Sequence, residues 1–107
     1  MANEAYLGSI PPQTDAEVRI TLKDRVGAVV TDATVTAKVY NPSGVLVTTA
    51  NMSHTGSGIY LLSFDKAWST SGTDAVIGQF ILDVKAIRPS GTQRTQRYRL
   101  TTAYAGI

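Results

Sequence analysis

The chain has 107 residues, a formal net charge of +2, 43% hydrophobic and 17% charged residues, and no cysteine. That length makes one domain with a single modest core. The missing cysteine excludes disulfide staples, thiol chemistry and cysteine-based zinc or iron–sulfur centres, and it speaks against a small secreted domain, which usually needs staples. Threonine is abundant and phenylalanine occurs only twice, a balance that favours strands over helices. The opening M-A-N-E-A-Y-L-G-S-I-P-P has neither the basic start nor the apolar core of a leader, and no apolar run is long enough to span a membrane. The expected setting is a cytoplasm.

Residues 1–15 read as a polar, extended N-terminal arm ending in Pro11-Pro12. Ala16 to Lys23 is the first clear strand, with Val18, Ile20 and Leu22 inward and Glu17, Arg19 and Thr21 outward. Asp24-Arg25-Val26-Gly27 is a turn, and Ala28–Val30 fits a short strand. Ala33 to Tyr40 puts Val35, Ala37 and Val39 on one face. Asn41-Pro42-Ser43-Gly44 is a tight turn, proline suiting its second position and glycine its positive φ. Val45 to Ala50 returns as a strand, and Met52 to Gly58 reads as a loop. Ile59 to Phe64 is another strand. Asp65 to Ala75 is a polar loop carrying Trp68, the only tryptophan.

The run from Ile77 to Leu100 predicts a hairpin around Pro89-Ser90-Gly91. Phe80, Leu82, Val84 and Ala86 alternate with Ile81, Asp83, Lys85 and Ile87. Setting Arg88 opposite Thr92 places Leu82 against Tyr98, Phe80 against Leu100 and Asp83 against Arg97. A slip of one residue would turn the arginines inward, so the register is well specified. A short apolar tail, residues 103–107, closes the chain. Short strands separated by turns, with no helical period, predict an all-β fold: an antiparallel sandwich of six to eight strands spanning residues 16–102.

Three stretches carry a family resemblance: D-R-V-G-A-V-V-T-D-A-T-V-T-A-K-V-Y-N-P-S-G (24–44), G-S-G-I-Y (56–60) and I-G-Q-F-I-L-D-V-K-A (77–86). Together they resemble the immunoglobulin-like domains of bacteria and phages. The antibody pattern of two cysteines around a tryptophan is missing. A free-standing domain of this type is similar to accessory proteins of tailed-phage virions, where such domains decorate capsids, necks and tails. The resemblance therefore implies a structural partner in an assembly. Its motifs are turn and core signals, which speak to fold and not to chemistry.

Side chains able to do chemistry are sparse. His54 is the only histidine, and nothing in the spacing brings it to a serine and an aspartate, so no catalytic residue is assigned and an enzyme is not expected. Met52-x-His54 offers ligands suited to copper, but a third soft ligand is lacking. Asp15, Asp24, Asp32, Asp65 and Asp74 are isolated turn aspartates without the clustering of a calcium loop. No metal or cofactor is expected. Four arginines, Arg88, Arg94, Arg97 and Arg99, fall within twelve residues. Arg97 and Arg99 share one strand face, which suits an acidic protein surface. No aromatic platform accompanies them, so nucleic acid is disfavoured.

Two functions follow from these residues. The first is a non-enzymatic structural module of a larger assembly, a virion in the resemblance, meeting copies of itself or other virion proteins. Its expected contacts are Tyr6, Leu7 and Ile10 on the arm, with Arg97 and Arg99. The alternative is a monomeric module for cell-surface carbohydrate, with Trp68 and His54 in the ligand loops.

Overall fold

A computed structural model describes residues 5–103 of the chain. Its strands are β1 (Ala5–Ile10), β2 (Ala16–Thr21), β3 (Thr34–Tyr40), β4 (Leu46–Gly56), β5 (Ile59–Phe64), the two-residue pair β6 (Thr70–Ser71) and β7 (Asp74–Ala75), β8 (Gly78–Ile87) and β9 (Gln93–Thr102). Seven of them form one ladder in the order β1-β9-β8-β3-β4-β5-β2. The ladder folds into two layers at β4. Its first part pairs with β3 and its last part, from Ser53, with β5. One layer is therefore β1-β9-β8-β3-β4 and the other β4-β5-β2, with a strand that changes layers at the corner.

Alternation fixes what lies between the layers. Val35, Ala37, Val39, Phe80, Leu82, Val84 and Leu100 face Val18, Ile20, Tyr60, Leu62 and Phe64 across a closed apolar core. Phe64 and Phe80 meet edge to face across it, with centroids 5.5 Å apart. The hairpin register holds: Phe80 lies opposite Leu100, Leu82 opposite Tyr98 and Asp83 opposite Arg97. Its turn closes with the Arg88 amide donating to the Thr92 carbonyl at 2.9 Å. The two P-S-G turns are built alike, with Gly44 and Gly91 at φ of +84° and +92°. Asp24-Arg25-Val26-Gly27 repeats the same closure, and its Asp24 Oδ1 accepts from the Val26 and Ala28 amides, as Asn41 Oδ1 does from Ser43 and Val45.

Three expectations change. Residues 1–15 are not an irregular arm throughout, because Ala5–Ile10 adds to the sheet as a strand parallel to β9. Met52–Gly58 is not a loop. The strand runs on to Gly56 because leaving β3 it finds new hydrogen-bond partners on β5, and only the Gly56-Ser57-Gly58 corner turns. Ala28–Val30 makes a lone bridge, Lys23 to Val29, and not a strand. Of the tail at 103–107, Tyr104–Ile107 lie outside the described residues.

Tyr60 anchors the connection between β2 and β3. Its buried hydroxyl donates to the Val30 carbonyl at 3.0 Å and accepts from the Ala33 amide at 3.2 Å. Replacing Tyr60 with phenylalanine keeps the ring and strands two backbone groups, so it should cost about 1–3 kcal/mol in urea unfolding. A loss near zero would mean that water serves those groups equally well.

Candidate interaction surface

The outward positions of the five-strand layer follow from the same alternation. Ladder pairing aligns Thr49, Lys38, Asp83 and Arg97 in one row across β4, β3, β8 and β9. The neighbouring rows carry Lys85, opposite Thr36 and Thr95, and Arg99, opposite Ile81. Four cations thus surround one carboxylate on a single sheet face. Asp83 does not come within ion-pair distance of Lys38 or Arg97; the ion pairs among the described residues are Arg19–Glu17 and Arg88–Asp32. The face remains positive, and its cations stand among half-exposed apolar positions such as Ile81 and Tyr40. Arg97 was visible in the sequence as part of this surface. Lys85 follows from the same hairpin, but Lys38 was not visible, because the β3–β8 pairing that brings it there joins strands far apart in the chain.

The arm residues are placed differently from expectation. Leu7 and Ile10 are partly buried and pack against the domain's own core, which leaves only part of each side chain exposed. Tyr6 lies on β1 opposite Arg99, and its side chain lies outside the described residues. The position of β1 makes residues 5–10 part of the fold, and their removal would strip an edge strand from the sheet.

The ligand-loop residues are occupied structurally. Trp68 is half-buried on a short 3-10 turn, Lys66–Ser69, and meets Phe64 edge-on at 5.0 Å, closing one end of the core. Asp65 starts that turn by accepting from the Ala67 amide, and Asp15 accepts from the Lys66 amide. His54 Nε2 accepts from the Gly58 amide at 3.2 Å, and its ring leans on Tyr60 at 4.9 Å. Met52 is buried in the core. The thioether and the imidazole are therefore each committed to packing or to the β4–β5 corner, and they do not converge on a shared site.

Arg94 sits on the inward set of β9 near the hairpin turn and escapes burial, donating from Nη1 to the Lys23 carbonyl at 2.8 Å. Tyr98, four residues on and on the same inward set, has its pKa raised above the ordinary value; burial is the larger cause, and the Arg94 charge opposes it. A phenol with a raised folded pKa contributes stability below its unfolded pKa of about 10 and loses it as pH rises through the folded value. Unfolding free energy should therefore fall above about pH 10, and Tyr98→Phe should flatten part of that decline. An identical alkaline slope in the variant would assign the decline to other groups.

No family model matches the chain, and no curated protein matches it. Solved structures do. CopC from Methylosinus trichosporium OB3b superposes with a TM-score of 0.57 at 9% identity, covering 97% of this chain and 88% of CopC. The Lin-41 filamin domain superposes at 0.55 and 18% identity, covering 91% of this chain and 86% of that domain. The fold is an immunoglobulin-like β-sandwich. At these identities the likeness extends to fold alone. Within the immunoglobulin-like frame the ladder is mostly antiparallel, with β1–β9 the parallel exception.

Proposed function

We propose that this immunoglobulin-like domain is a non-enzymatic interaction module of a larger assembly, docking through the positive outer face of its five-strand layer onto an acidic protein surface. The row Lys38, Asp83, Arg97, flanked by Lys85 and Arg99, carries the reading. A strand-supported face holds the backbone of these residues in a fixed pattern, so only their side chains are ordered on binding. Arginine is the cation favoured at such interfaces. The sequence resemblance to tailed-phage accessory proteins supplies the setting: a virion, with the domain decorating a capsid, neck or tail.

The test is sedimentation of particles from cells of the chain's source through a sucrose cushion, with the protein followed by immunoblot. The protein should pellet with particles and be released as salt rises, since exposed charges are screened within about 8 Å at physiological ionic strength. Protein that stays in the supernatant at low salt sinks the virion setting. Protein that pellets but resists salt sinks the charged face as the contact.

A further inference from the structure

The two layers do not close where β2 faces the first half of β9. Among the described residues β1 pairs with β9 from Tyr98 onward, and β2 is the last strand of its own layer. A cleft of about 420 Å³ opens there, between the β2–β3 connection and the β8–β9 hairpin. Its floor is apolar: Leu22, Val30, Ala33 and Ala86. Its rim is basic: Lys23, Arg25, Arg88 and Arg94. A second compartment of about 240 Å³ continues along the same side towards Val84 and Tyr98. Arg94 lines both, and its hydrogen bond to the Lys23 carbonyl crosses between them.

The nearby carboxylates offset this rim only in part. The Asp24 carboxylate also lines the cleft, but its Oδ1 is turned to the loop, accepting from the Val26 and Ala28 amides, so Lys23, Arg25 and Arg94 leave the rim with a net positive charge. Asp32 holds Arg88, Oδ1 to Nε at 2.9 Å. Among the described residues, Lys23, Arg25 and Arg94 have no carboxylate at ion-pair distance. The cleft is also separate from the docking face, because Ala86 and Arg94 are on the inward set of β8 and β9 and Lys85 and Arg97 on the outward set.

We propose that this cleft binds a small organic carboxylate with an apolar tail, the tail on the Leu22–Val30–Ala33–Ala86 floor and the carboxylate against Arg94 with Lys23 or Arg25. An apolar floor with a few convergent polar groups is the makeup of small-molecule sites, and the volume lies near the lower end of their range of about 300–1,000 Å³. A guanidinium matches a carboxylate in a two-point geometry that a lysine cannot supply. A bare phosphate would leave the floor wet, and a neutral hydrocarbon would leave the rim unanswered.

Two-dimensional 15N–1H NMR of the full chain tests this directly, with decanoate below its micelle-forming concentration as the probe. Saturable shifts are expected at the amides of Leu22, Ala33, Ala86 and Arg94. Arg94→Gln should weaken decanoate by about tenfold, the worth of one charge-assisted contact, and Arg25→Gln serves as the second variant if Arg94→Gln disturbs the fold. Decyltrimethylammonium, with the opposite charge and the same tail, should not reproduce the shifts. The proposal is overturned by no saturation at millimolar decanoate, by equal shifts from the cationic detergent, or by shifts confined to the outer face around Lys38 and Arg97. Saturation by a short Glu-Phe-Glu peptide with none by decanoate would also overturn it, giving the cleft to a peptide.

Discussion

Phe80→Ala is expected to cost the domain about 3–5 kcal/mol, read as a lower urea midpoint at unchanged slope. Phe80 is 0% exposed and sits on β8, the strand flanked by β9 and β3 in the larger layer. It reaches across the core to Phe64, which in turn carries Trp68. Truncation removes a ring that both layers touch, and strands on either side prevent the gap from collapsing. Total stability for a domain of this kind is about 5–15 kcal/mol, so the variant should lose a large fraction of it. Ile81→Ala, the adjacent residue on the outer face, should cost about 1 kcal/mol or less. Equal losses at the two positions would mean that the inward and outward sets of β8 are wrongly assigned.

The β8–β9 hairpin was legible because two independent signals agreed. Pro89-Ser90-Gly91 set the turn, and the alternation from Phe80 to Ala86 set the faces. β1 was not legible. Its pairing with β9 is parallel and distant in sequence, and a register shift between Tyr6 and Ser9 interrupts the simple alternation of the strand. The polar end of β4, Ser53-His54-Thr55, looked like loop for a related reason: at the rim of the sandwich its outward and edge positions meet solvent, so no apolar period marks it. The candidate surface divides in the same way. Arg97, Arg99 and Lys85 could be read from one hairpin, whereas Lys38 needed the β3–β8 contact. The basic cleft was also hidden. Arg25 lies on the β2–β3 connection, Arg88 in the hairpin turn and Arg94 at the start of β9, so their meeting is tertiary, and the sequence showed Arg88 and Arg94 only as two of four arginines within twelve residues.

Reversing two charges, Lys38→Glu together with Arg97→Glu, should abolish docking without harming the fold. Both side chains are exposed and neither closes an ion pair among the described residues, but each new glutamate would face Asp83 across the ladder, so unfolding stability should fall by about 1 kcal/mol or less for each. Binding should change far more. The two positions flank Asp83 in one row, and the reversal turns a row of two cations and one carboxylate into three carboxylates. Against an acidic partner each contact becomes repulsive, and like charges brought together at an interface cost several kcal/mol. A loss of about a hundredfold or more is therefore expected, mostly in the association rate at low salt. Poly-L-glutamate is a defined probe for the face, measured by the salt dependence of its binding to the native chain and to the variant. The conservative pair Lys38→Gln and Arg97→Gln should fall between them, because it removes attraction without adding repulsion. Native-like binding by the reversed variant would move the contact off this face. A matching loss in the variant and in Arg94→Gln would instead assign poly-glutamate to the general positive charge of the domain, since Arg94 lies on the inward set and outside the docking face.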